Sequence, residues 1–239
     1  VVEACDQDKP EYNDWVLRQV KESDLLCGYI ARADLTVTDF LIHHRRYQRT
    51  GFLNGYRFRF DELNDYLNDT LARQHLAILE RQGLVIDLLI EASHADDVVS
   101  LSRDFPRLKI VINHCFRAKI IDGDISDELK RAIKKCAAQK NVFCKMSSIN
   151  NFSEVAPFTD PAPTDLNYYL PVLDSVYDAF GANRLIFATN WGVSAHFGSV
   201  DNVKDVVMAY LKPKGQKVVD NVMFRNAMTF YNIKRKYLR

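Results

Sequence analysis

The chain lacks the features that would mark several large classes of protein. Charge is balanced: 32 basic residues stand against 31 acidic ones, a net +1. That removes the electrostatic footprint expected of a nucleic-acid binder or a protein drawn to charged membrane surfaces. No apolar run approaches the roughly 18 residues of a membrane span, and neither a signal peptide nor a low-complexity tract is visible in the sequence. Cys5, Cys27, Cys115, Cys136 and Cys144 are scattered, with no C-x-x-C spacing. Neither a zinc cluster nor a disulfide framework is indicated, and free thiols of this kind fit a reducing cytoplasm. No Gly-rich phosphate loop follows any strand candidate, which weighs against a dinucleotide-binding sheet. What remains is a small-molecule protein of ordinary globular composition, 47% hydrophobic and 26% charged. A homo-oligomer is left open.

What is present is an alternation. Apolar, β-rich runs occur at 1–5 (VVEAC), 28–35, 52–60, 84–92, 108–115, 141–148 and 184–191, with helical patterns between them. The segment 61–83 carries apolar residues at helical spacing and stops at Gly83, and 93–106 reads as a helix from Ser93 to before Pro106. The runs 84–92 and 108–115 are apolar on both faces, the mark of a parallel sheet covered by helices. Strand–helix alternation over the whole length predicts an α/β chain and a (β/α)8 TIM-type barrel, residues 1–239 forming one domain. A doubly wound open sheet is the structural alternative. Seven strand candidates leave one unit short. The opening VVEAC reads as the middle of a strand, so the expectation is that the first strand is absent from this chain.

In such a barrel, reactive groups sit at the C-terminal ends of strands. Those ends carry Arg57 and Arg59, Glu91 and His94, Asn113 to Cys115, Lys145 to Ser148, and Asn190 with Trp191. Period-two alternation puts Ile110, Ile112 and His114 on one face of their strand and Ile186, Ala188 and Asn190 on one face of theirs. If those faces line the interior, His114 and Asn190 point into the mouth. Lys145 lies inside an apolar strand, where a lysine needs a partner. His196, in the loop after the last strand, is within reach of the mouth. The stretch HHRRYQR, with His43 and His44, reads as a solvated face, His75 as structural, and KRKYLR as a solvated tail. The Pro-rich loop 149–168 is placed to cover a site.

Six segments, in order, resemble the amidohydrolase-related family of barrel hydrolases, in its sugar-lactonase-like branch. They are FLNGYR, IDLLIEASH, DFPRLKIVINHC, NVFCKMSS, AFGANRLIFATNW and NVMFRNAMTFYNI. The resemblance implies a hydrolase opening a small lactone or related carbonyl compound by attack of water. It implies a divalent, zinc-like metal, which would activate the water and polarise the carbonyl. On the family's pattern His94 and His114 fall on metal-ligand positions. Arg57 would clamp a carboxylate or hydroxyl, and Lys145 would stabilise oxyanion charge. Trp191 and His196 join Arg57 as candidate substrate contacts. Two departures matter. The family's His-x-His occurs nowhere in the chain, and Asn190 stands where the family has Asp. An amide is no general base, so catalysis without metal would fall to His114 or His94. A barrel that binds a small acid or sugar without turnover, and a decarboxylase of the same fold, are the competing readings.

Overall fold

The computed structural model describes residues 9–60 and 62–233. The strand expected at 1–5 and the tail KRKYLR lie outside these residues. The other six strands are all present: β1 Tyr29–Ala31, β2 Leu53–Arg59, β3 Val85–Leu89, β4 Lys109–Ile112, β5 Val142–Met146 and β6 Leu185–Phe187. They pair in parallel in chain order. The sheet has an apolar layer on each face, as the two-sided runs require. Ile86, Leu88, Ile110 and Ile112 pack outward under the helices. Val85, Val111, Ile186 and Ile30 pack inward with Phe230. Ile30 belongs to the first strand and Ile186 to the last, so the sheet curls around one inner core. This is the wall of a TIM-type barrel.

Parallel strands need crossover helices. α1 Pro10–Glu22 and α2 Phe40–Gln48 flank β1. The segment 61–83 is two helices, α3 Glu62–Asn68 and α4 Thr70–Arg81, because Asp69 leaves the helical region and caps the second through Ala72 N–H at 2.7 Å. α5 Ala95–Asp104 ends before Pro106, as expected. α6 Asp127–Ala137 starts at a Ser126 cap and buries Leu129, Ile133 and Cys136 on one stripe. α7 Leu166–Phe180 and α8 Val200–Leu211 follow β5 and β6.

HHRRYQR is a solvated face only in part: Arg45, Arg46 and Arg49 are exposed, but His44 and Tyr47 are not. His44 is buried with Phe40 and Tyr47 on the inner stripe of α2, bonded to Tyr56 Oη at 2.9 Å and Gln82 Oε1 at 2.7 Å. His75 is structural, its Nδ1 against the Leu35 carbonyl oxygen.

The closing helix Asn226–Phe230 seals the inner core at the N-terminal end of the strands. Lys109, the first residue of β4, donates to the carbonyls of Thr229 and Phe230 and to Asn232 Oδ1 at 2.9–3.1 Å. A cation on the last carbonyls of a helix is favourable electrostatically. The opposite end of the barrel stays open.

Candidate active site

Each wall of the open end is set by local geometry. Gly55 lets β3 approach β2: a Cβ there would lie 2.1 Å from the Val85 carbonyl oxygen. Two residues on, Arg57 therefore faces the interior, in register with Asp87. It is buried and lines the mouth.

His114 arrives differently from the strand alternation. Ile110 and Ile112 face the helices, and β4 ends at Ile112. His114, Cys115, Phe116 and Arg117 then take φ of 55°, 48°, 62° and 53°. Such left-handed backbone costs on the order of 1 kcal/mol for each non-glycine residue and concentrates at functional sites. The turn swings His114 into the mouth, where Nδ1 meets Ser147 Oγ at 2.7 Å. Burial, then the cations Arg57, Lys145 and Arg117, hold its pKa well below the ordinary imidazole value. It is neutral at neutral pH.

Lys145 has the partner that its position demanded. Nζ donates to Asp87 Oδ2 at 2.6 Å, with both side chains buried. Tyr231, just past the closing helix, donates its hydroxyl to Asp87 Oδ1 at 2.9 Å. Burial lowers the Lys145 pKa, Asp87 opposes that shift, and Arg57 adds to it. The ion pair lies beneath the cavity and forms no part of its wall.

Asn190 also sits in left-handed backbone, at φ 51°. It lines the cavity and donates from Nδ2 to Ser148 Oγ at 2.9 Å. Ile186 lies on the inward face of β6, and Asn190, three residues past the end of that strand, reaches the cavity through its left-handed turn rather than by alternation. The amide and indole at the tip of β6 part company: Trp191 is 59% exposed and outside the cavity wall. His196 packs against Phe158 with ring centroids 4.1 Å apart and planes inclined by 36°, also away from the wall. His94 accepts the Glu91 N–H at 3.3 Å in a capping box ahead of α5 and does not line the cavity with His114. The loop after β5 contributes Asn151 and Phe152 to the wall, and its middle folds onto the loop after β6, with Phe158 N–H donating to the His196 carbonyl at 2.8 Å.

The cavity measures about 740 Å³. Asp87, Ser147 and Tyr231 are the residues that sequence reasoning left unassigned. A signal existed for Asp87: an acid inside a strand apolar on both faces, and a lysine inside another, must find each other.

A family model for amidohydrolases matches residues 3–233. The chain belongs to the amidohydrolase family. An L-fucono-1,5-lactonase of Burkholderia ambifaria is 28% identical over 189 residues, 77% of this chain and 62% of that protein. The chain thus spans less than two thirds of that relative. Among solved structures, an amidohydrolase from Burkholderia multivorans with bound zinc has a TM-score of 0.84 at 20% identity, covering 98% of this chain and 82% of that one. A putative 2-pyrone-4,6-dicarboxylic acid hydrolase from Pseudomonas putida has a TM-score of 0.69 at 18% identity, covering 92% and 77%. These likenesses fix the fold as that of the barrel amidohydrolases.

The described residues do not fit the zinc of that neighbour. Among them, no three His, Cys, Asp or Glu side chains converge. His94 is turned to a helix start, and Asn190 offers only a carbonyl oxygen. His114 stands among three cations, which disfavour a second positive centre at that imidazole.

Proposed function

We propose that the protein is a hydrolase that opens a small lactone by attack of water, residues 1–239 acting as one barrel domain. The observation that carries this reading is His114: a neutral imidazole at the mouth of a cavity, fixed at one nitrogen and flanked by fixed positive charge. The lactonase name borne by the 28% identical relative supports the substrate class.

In the tautomer that donates Nδ1–H to Ser147 Oγ, Nε2 carries the lone pair. A water poised against Nε2 loses its proton there as its oxygen bonds to the lactone carbonyl carbon. Negative charge then develops on the carbonyl oxygen, and Arg57 is placed to meet it. Lys145 adds positive potential from beneath without touching substrate. When the tetrahedral carbon collapses, the ring C–O bond breaks and the leaving alkoxide takes the proton back from His114. The product is a hydroxy acid. Asn190, held by Ser148, orients the substrate through its amide and removes no proton.

The test is a panel of five- and six-membered lactones followed by acid release at constant pH. Turnover by the wild-type chain and a loss of about a hundredfold to ten-thousandfold in His114→Ala are expected. An undiminished rate in that variant would rule out His114 as the base.

A further inference from the structure

The cavity has two chemically different ends. The inner end, at the strand tips, presents Arg57, His114, Ser148 and Asn190. The outer end is built by residues 116–129 against the turn after β5, and its wall is carbon: Phe116, Ala118, Ile121, Ile125, Leu129 and Phe152. Most of the polar groups set among these side chains are engaged with one another, and Asn151 Oδ1 is buried with no partner. Lys119 Nζ donates to the Asn151 carbonyl at 2.7 Å. Asp124 accepts Lys130 Nζ at 2.6 Å and the Ile125 N–H at 2.7 Å. Ser126 Oγ accepts the Leu129 N–H at 3.2 Å as a helix cap. At the rim Arg117 is paired with Glu91 at 2.9 Å and lies 5.0 Å over the Phe60 ring.

A hydroxyl carried among these carbon side chains, out of reach of Asn151 Oδ1, would leave water for a wall that offers it no partner, weakening binding about tenfold. A methylene there would gain about fourfold. The volume agrees: about 740 Å³ lies in the upper part of the range for ligand cavities, roughly 300–1,000 Å³, and exceeds the needs of a single small ring. We propose that the site takes a lactone bearing an apolar substituent, an alkyl or aryl group of several carbons. The substituent lies in the outer end while the ester reacts at His114. The inference rests on the hydrolase reading for the reacting end alone.

The test uses the full chain and two matched series. One is γ-lactones with unbranched alkyl substituents from methyl to heptyl, and the other is the hydroxyalkanoates they open to. Calorimetry on the hydroxyalkanoates should show Kd falling about fourfold per methylene over the first few carbons. For the lactones kcat/KM should rise in parallel. Leu129→Asn and Ile121→Asn should flatten both slopes. Ile121 is 58% exposed, so its variant keeps the experiment open if the first fails to fold. A flat affinity series, or slopes that both folded variants leave unchanged, overturns the proposal. Polyhydroxylated sugar lactones turned over faster than the alkyl series overturn it as well. A rising affinity series with no lactone hydrolysed leaves the apolar end standing and removes the hydrolase reading instead.

Discussion

Two imidazoles are held neutral in this protein, His44 under α2 and His114 at the mouth, and they are neutral for the same leading reason, burial. Their surroundings differ. Both nitrogens of His44 are bonded, one to Tyr56 and one to Gln82, inside a closed packing of Phe40 and Tyr56. His114 is bonded at Nδ1, sits on strained backbone and lines a cavity. A depressed pKa by itself therefore does not separate structure from chemistry. The separation comes from a second nitrogen turned to open space and from backbone strain that packing alone would not select.

The comparison can be broken most directly by removing each ring. His114→Ala should cost turnover by the factor given above while changing unfolding free energy little. His44→Ala should leave turnover per folded molecule intact and lower stability by about 2–4 kcal/mol, because it opens a cavity and strands the Tyr56 hydroxyl. Urea unfolding and lactone kinetics on the same preparations check both; similar profiles for the two variants would dissolve the distinction.

Next in size is the ion pair beneath the site. Lys145→Met should destabilise by about 3–5 kcal/mol, since Asp87 would stay charged, buried and without its cation. Adding Asp87→Leu should restore much of that stability without restoring activity. If the double variant is as unstable as the single one, the pair is not the source of the loss.

The pH dependence is smaller and has a definite sign. Both imidazoles titrate lower when folded than the ordinary 6.5. Below that value the unfolded chain binds more protons than the folded one, so their stabilisation is full above pH 6.5 and is lost as pH falls. Each contributes a slope of up to about 1.4 kcal/mol per pH unit. His44→Gln should reduce the acid slope by one such step in thermal or urea unfolding between pH 7 and 5, and an unchanged slope would mean that His44 is protonated in the native state. Of comparable size is the effect of Tyr231→Phe, which removes one hydrogen bond to a charged acceptor and should cost about 1.5–3 kcal/mol of stability, with kcat lowered and KM unchanged because Tyr231 lies outside the cavity wall.

The sequence shows some of this directly. Six strands were legible because parallel strands buried on both faces leave continuous apolar runs. Lys145 was legible as a charge in the wrong surroundings, although its partners Asp87 and Tyr231 are 58 and 86 positions away, too far for any local pattern to join them. His114 was legible through its place at a strand end and through family resemblance, but the route was not. Alternation was carried past Ile112, where the strand stops, and NHCFR contains no glycine to announce four left-handed residues. His44 was hidden by its basic neighbours, though the helical spacing of Phe40, His44 and Tyr47 already placed it on an inner stripe. His94 and His196 have the right residue type near the mouth, and packing turned them to a helix start and to an aromatic contact.

The helix that seals the barrel floor is synthesised after every strand that it touches. Tyr231 bonds to Asp87 across 144 positions and to Asn54 across 177, and Phe230 to Lys109 across 121. Until those residues emerge, Ile30, Val85, Val111 and Ile186 have no Phe230 to pack against, and the Asp87 carboxylate has no phenol. Biosynthesis thus holds the inner core open until this helix emerges, so that nascent chains expose a groove in need of shielding, and the arrival of Phe230 and Tyr231, rather than completion of any one strand, sets when the fold can close.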